Sequence, residues 1–172
     1  MNRYQRRIER IASTDALTGL LNRQSLELLF QRAMLLSKRT AQPMSAILFD
    51  IDFFKRVNDT HGHLWGDKVI RGVADVARAT VRESDVITRW GGEEYLVLLN
   101  NCSLAKAAEV AENLRAAVEQ HDFGLPEPQI PVTISLGVAE YRLDESESAF
   151  FSRADSALYQ AKQQGRNGVH AS

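Results

Sequence analysis

The stretch RWGGEEYLVLL, residues 89–99, sets two glycines and two glutamates between strand-forming residues. A Gly-Gly pair supplies the positive φ angles of a two-residue hairpin loop, so residues 86–90 and 95–99 are predicted as antiparallel strands joined at Gly91 and Gly92. Turn chemistry accounts for the glycines. It does not account for Glu93 and Glu94, adjacent carboxylates at the tip of a hairpin with apolar flanks.

Outward from the hairpin, MSAILFDID (residues 44–52) is too apolar to be half exposed and reads as a central strand. Apolar residues at helical period predict helices over 23–40, 54–60, 66–82, 104–120 and 147–164. Ser103 is a candidate N-cap for the fourth, and Gly165 a candidate C-terminal cap for the last. VTISLGVAEY (132–141) is a further strand, expected to bend or bulge at Gly137. Tyr4, Ile8 and Ile11 recur at helical spacing among Arg3, Arg6, Arg7 and Arg10, which predicts a short amphipathic N-terminal helix. That helix is either a surface element or the stub of a longer signalling helix. Strands interleaved with helices, one pair of them a hairpin, argue for an α+β, ferredoxin-like, palm-type plan: a mostly antiparallel central sheet surrounded by helices.

At 172 residues and 44% hydrophobic content, the chain can bury one sizeable core. A formal net charge of −1 gives no basic face for a nucleic-acid backbone, so no nucleic-acid partner is expected. The single Cys102 excludes an internal disulfide, is expected to pack as a small buried residue, and fits a reduced intracellular setting. No apolar run approaches the roughly 20 residues of a membrane helix, and the Arg-rich start lacks a following apolar region, so neither membrane insertion nor a signal peptide is expected.

Aspartate is disfavoured in strands, yet Asp50 and Asp52 end the most apolar one. Period two sends both side chains to one face, and Glu93 and Glu94 come alongside if the hairpin is its sheet neighbour. Converging carboxylates call for cations, and hard oxygen ligands suit Mg²⁺. The competing reading has Asp52 capping the next helix and Asp50 pairing with an arginine.

Four motifs carry a resemblance that covers nearly the whole chain: DALTGLLNR (15–23), FDIDFFKRVNDTHGHLWGD (49–67), RWGGEEY (89–95) and ALYQAKQQGRN (157–167). In order and spacing they resemble the GGDEF family of diguanylate cyclases. The resemblance implies a nucleotidyl cyclase palm-type fold, a catalytic domain over 14–172 behind a linker helix over 1–13, and a bacterial cytoplasmic protein. The implied reaction joins two GTP molecules into cyclic di-GMP with release of pyrophosphate, in a homodimer whose domains each supply half a site, downstream of a sensor domain.

Matching positions imply that Asp50, the carbonyl of Ile51 and Glu93 hold two Mg²⁺ ions, with Mn²⁺ as a substitute. Glu94 lies near the second metal as base or ligand. Gly91 and Gly92 allow the nucleotide to approach. The amides of the helix opening at Phe53 and Phe54, with Lys55, would face the phosphates. Lys162 and Arg166, four apart at the end of the last helix, match a phosphate-contacting pair; without the motif they read as a solvated helix end. Asp67, with Asn58 beside it, would accept from guanine N1–H and its exocyclic amine. Arg82 and Asp85 match an RxxD product-inhibition site, against a helix-terminal salt bridge. Asn113 stands where an arginine often completes that site, with Arg115, on a different face, as the candidate substitute. Tyr95 replaces the usual Phe, its ring expected to pack and its hydroxyl to find a polar partner. Asp15 and Arg23 are expected to tie down the start of the domain by pairing, and His61 and His63 to be structural. Two competing functions are a non-catalytic cyclic di-GMP receptor and a GTP-binding regulatory module or other nucleotidyl cyclase on the same palm.

Overall fold

The computed structural model describes residues 2–6 and 13–172. The elements are α1 (Arg23–Thr40), β1 (Met44–Ile51), α2 (Phe54–His61), α3 (His63–Thr80), β2 (Val86–Gly91), β3 (Glu94–Asn100), α4 (Leu104–Gln120), β4 (Ile134–Glu140), α5 (Glu147–Gln163) and β5 (Val169–Ala171). They form a five-stranded sheet in the order β2-β3-β1-β4-β5. β1 runs antiparallel to both β3 and β4. Every residue of β1 is buried, as its unbroken apolar run requires for a central strand covered on both faces.

The period of two divides the core. Ile47, Phe49 and Ile51 join Tyr95, Val97 and Leu136 against α2, α3 and α4. Met44, Ala46 and Leu48 join Leu96, Leu98 and Ala139 against α1 and α5, where Phe30, Tyr141, Phe150 and Phe151 pack ring to ring. Tyr95 is fully buried, stacks on Phe49 with centroids 4.9 Å apart, and donates its hydroxyl to the Ile70 carbonyl at 2.8 Å. The extra oxygen of this Tyr thus finds its partner inside α3.

The opening motif covers the exposed side of β2. Leu21 bridges Thr88, Arg89 N donates to the Leu21 carbonyl at 3.0 Å, and Arg89 reaches Asp15 at 3.0 Å. The edge strand is thereby capped against pairing with another chain. Asp15 and Arg23 both pair, as expected, though not with each other: Arg23 sits over the Trp90 ring at 3.9 Å and near Glu27 at 3.8 Å. Of the expected N-terminal helix, residues 3–6 are helical with Tyr4 exposed, while Arg7, Ile8, Arg10 and Ile11 lie outside the described residues.

Four expectations change. The hairpin loop is Gly92 and Glu93, because Gly91 still pairs with Glu94 at the end of β2; Gly92 alone takes the positive φ, +35°. The irregularity falls in β2 between Arg89 and Gly91, and β4 passes Gly137 in unbroken register. Gly137 serves packing instead: a Cβ there would meet Leu158 N at 2.1 Å and Ala154 O at 2.3 Å, both backbone atoms of α5. Helix α3 starts at His63, since Gly62 by itself ends α2, and Gly66 lies inside α3. Strand β5, absent from the expected order, pairs parallel to β4 and makes the sheet mixed. Three residues, two half-exposed and one exposed, carry too little pattern to announce a strand.

Among the described residues, no helix is long and apolar enough to cross a membrane. Cys102 is buried and free, and His61 bonds the Pro128 carbonyl at 2.8 Å. Gly137→Ala is expected to lower unfolding free energy in urea by about 3 kcal/mol, since α5 backbone must move. Gly91→Ala, where a Cβ meets nothing within 4 Å, should stay within about 0.5 kcal/mol of the parent.

Candidate active site

Antiparallel register places Asp50 directly opposite Glu94 on β3. Both leave the sheet on the face that carries Leu48 and Leu96, toward α5. Lys162, in the last turn of α5, pairs with Asp50 Oδ2. The other oxygen, Oδ1, is buried with no hydrogen-bond partner among the described residues. Burial pushes the Asp50 carboxyl up to about 6, with Lys162 pulling down and Asp52 and Glu94 adding to the rise. Burial also raises Glu94, seconded by Asp155, against the pull of Lys162. Glu93 sits in the turn, and its carbonyl accepts from Ile51 N at 3.3 Å, tying the hairpin tip to the end of β1.

Past β1 the chain bends sharply. Phe53 takes φ +52° as N-cap of α2 and offers no side-chain cap. The first-turn amides therefore lack a capping side chain beside a cleft of about 230 Å³. Asp50, Ile51, Asp52, Phe53, Phe54, Lys55, Glu93, Lys162 and Arg166 line it. Eight of the expected catalytic, metal and phosphate-side residues are thus joined in one place, together with Asp52. Glu94 is held beside them by its pairing with Asp50, and Gly91 and Gly92 lie exposed at the hairpin end with open space around them. Arg56 and Arg166 each bring a guanidinium 4.7 Å from the Phe53 ring.

Three expectations are corrected. Asp52 does not cap α2, and Asp50 pairs with a lysine and not an arginine. Asp52, 5% exposed, accepts from Thr133 Oγ1 at 2.8 Å, Ser135 Oγ at 2.6 Å and Asn167 N at 3.0 Å. Lys162 and Arg166 do not share a helix end: α5 stops at Gln163, and Arg166 follows Gly165 with φ +63°. They meet because the loop turns back.

Asn58 and Asp67 belong to α2 and α3, one helix over from Asp50. The two helices approach so closely that a Cβ on Gly66 would lie 1.9 Å from Asn58 Oδ1. That Asn58 oxygen is buried and unpartnered among the described residues, and Asp67, half buried, follows Gly66 directly. Neither lines the cleft at Asp50.

Arg82 and Asp85 close the turn from α3 to β2. Arg82 N reaches Asp85 at 3.1 Å, its Nη2 reaches Asp85 at 3.0 Å and the Asn100 carbonyl at 3.1 Å. The Asp85 side chain is completely buried. This is the salt bridge of the plainer reading, and a ligand at this carboxylate would have to displace Arg82. Asn113 is exposed, and Arg115 is committed to Glu112, Glu119 and Asn167.

Among the described residues, no three His, Cys, Asp or Glu side chains gather tightly enough to form a metal site, and Lys162 is the countercharge at Asp50. The donor set nevertheless fits a hard divalent cation: carboxylates of Asp50, Glu93 and Glu94, with a buried oxygen on Asp50 that lacks a partner.

A mixed sheet with an acidic strand end and a basic loop facing it defines a palm-type α+β domain of the nucleotidyl cyclase kind. Residues 12–168 match the family described as "Diguanylate cyclase, GGDEF domain", and the chain belongs to that family. It is 41% identical over 163 residues to Diguanylate cyclase A of Treponema denticola, covering 92% of the chain and 44% of that protein. It is 39% identical over 170 residues to Diguanylate cyclase DgcM of Escherichia coli K12, covering 98% of the chain and 40% of that protein. The chain therefore spans less than half the length of these curated relatives. Among solved structures, it superimposes with a TM-score of 0.92 and 32% identity on the coiled coil and GGDEF domain of DgcB from Caulobacter crescentus in complex with c-di-GMP, covering 98% of this chain and 90% of that one.

The Asp50 shift gives a test of the metal-free protein. Its folded value of about 6 lies above the ordinary 3.8, so its contribution to stability is full below the ordinary value and is lost as pH rises through about 6. With a chelator present, Asp50→Asn should raise the melting temperature at about pH 7 relative to the parent, and that difference should shrink or reverse by about pH 4. Melting curves across that range check it.

Proposed function

We propose that this domain is a diguanylate cyclase, condensing two GTP molecules into cyclic di-GMP and releasing pyrophosphate. The observation that carries this reading is Asp50 opposite Glu94, with a buried oxygen unpartnered among the described residues, in one cleft with Glu93, Lys162 and Arg166. In this reading Asp50, the Ile51 carbonyl and Glu93 would hold two Mg²⁺ ions, with Glu94 beside them. Bound there, the pair supplies charge neutralisation at the phosphoryl group and at the attacking and leaving oxygens.

The residues of the chain do the positioning. The α2 amides, Lys55, Lys162 and Arg166 receive the triphosphate, Phe53 and Phe54 wall the cleft, and Gly91 and Gly92 leave room for the nucleotide. Lys162, paired with Asp50 and lining the same cleft, is placed to receive phosphate as well. Asn58 and Asp67 hold guanine; the Asn58 oxygen, unpartnered among the described residues, is an acceptor for a guanine donor. The 3′-hydroxyl of one GTP attacks the α-phosphorus of the other in line, with Glu94 as base or ligand. Each domain holds one GTP, so two domains face each other across a twofold axis. Residues 1–13 form the linker through which an upstream sensor domain sets that encounter, in the bacterial cytoplasm.

Incubation with GTP and Mg²⁺, followed by mass spectrometry, should yield cyclic di-GMP and pyrophosphate. Glu93→Ala and Asp50→Ala should each lower the rate by about 100-fold or more. The parent rate should rise more than linearly with protein concentration. Binding of cyclic di-GMP without any turnover would favour a receptor, and another product a different cyclase.

Product feedback is proposed at Arg82 and Asp85, the arginine turning from its buried partner to a product phosphate. Arg82→Ala should keep the initial rate and lose inhibition by added cyclic di-GMP. Equal sensitivity in mutant and parent removes the site.

A further inference from the structure

The segment that carries Arg166 is built in an unfavourable conformation. Gly165, Arg166 and Asn167 have φ of +108°, +63° and +42° in succession, and non-glycine residues adopt such values at a cost in free energy. Strain of this kind persists only where the surroundings over-determine it. Here the backbone N–H and both side-chain polar atoms of Asn167 are engaged. Its backbone N–H donates to the buried Asp52 carboxylate at 3.0 Å. Its amide oxygen accepts from Arg115 Nη1 at 3.0 Å, and its amide nitrogen donates to Glu119. Arg115 is itself braced by Glu112 and Glu119 along α4. Gly168 then accepts from Leu136 N at 2.9 Å, which locks the far end to β4. Arg166, clamped between these bonds and its own N–H bond to the Ala161 carbonyl at 3.1 Å, lays its guanidinium over Phe53 and lines the cleft.

We propose that Asn167, held by Asp52 and by the Arg115–Glu119 pair of α4, is a positioning residue that fixes Arg166 to receive the polyphosphate of a nucleoside triphosphate. The inference rests on the phosphate role given to Arg166 above. Asn167 touches no ligand; it presets a guanidinium that would otherwise lose conformational freedom on binding. Helix α4, which contributes nothing to the cleft lining, thereby acts on phosphate affinity through one side chain.

The test uses 3′-deoxy-GTP, which lacks the attacking hydroxyl and cannot be condensed, and 3′-deoxyguanosine, which lacks phosphate. Both are titrated into the whole chain with Mg²⁺. Asn167→Gly tolerates the positive φ while deleting the side-chain clamp, and Arg115→Ala removes the same clamp from a residue of ordinary helical conformation. Each should weaken 3′-deoxy-GTP about tenfold and leave 3′-deoxyguanosine unchanged. In an Arg166→Ala background, neither should weaken 3′-deoxy-GTP further, as a double-mutant cycle requires of residues acting through one group. Equal loss for both ligands, or losses that add to Arg166→Ala, would mean a general structural role and overturn the proposal. If Arg166→Ala itself leaves 3′-deoxy-GTP affinity unchanged, the phosphate role of Arg166 fails first. If it weakens binding while both clamp variants match the parent, only the positioning role fails.

Discussion

The register of β1 against β3 is the constraint on which the site depends. It sets Asp50 opposite Glu94 and turns both toward α5, where Lys162 waits. A slip of one residue would turn Asp50 to the other face, among Ile47, Phe49 and Ile51 and the apolar sides of α3 and α4, away from Lys162. Two apolar layers hold the register against that slip. Because both faces of β1 are buried, moving the strand would expose or misplace a full row of side chains on each.

Other features follow from keeping that strand end fixed. The irregularity in β2 between Arg89 and Gly91 aims the tip, with Trp90 against Phe151 and under Arg23. Arg89 spans the opening motif and the hairpin, bonding Asp15 and the Gly92 carbonyl at 2.9 Å. Gly137 lets α5 press its backbone onto β4, which sets how near the end of α5 comes to Asp50. On the far side, Asp52 gathers two hydroxyls from β4 and its margin and one amide from the returning loop. Two acidic residues with one residue between them thus divide the work: Asp50 keeps an oxygen free, while Asp52 spends its oxygens on architecture.

Much of this was legible in the chain. Helical periods placed helices α1 to α5 to within three residues at either end, and the contrast between the apolar 44–52 run and the Gly-containing 89–99 run gave the central strand and the hairpin. The acidic strand end, the hairpin glutamates and the basic residues near the C-terminus identified the candidate site residues through their motifs. Asn167 was missed, although Gly-Arg-Asn after a helix carries a local signal, since Asn tolerates the left-handed region. Its three partners could not be read, because they lie 48, 52 and 115 residues away.

By itself the sequence determined the periodicities, the turn residues and the chemical types available to the site, since these follow from local sterics and hydropathy. Tertiary structure alone decided that Asp50 pairs with Lys162, that Asp52 serves the loop and not the helix, that Asp85 is sealed behind Arg82, and that Gly137 makes room for α5. Each of these depends on which distant group a side chain meets once strands and helices have packed, and short-range pattern carries no record of that meeting.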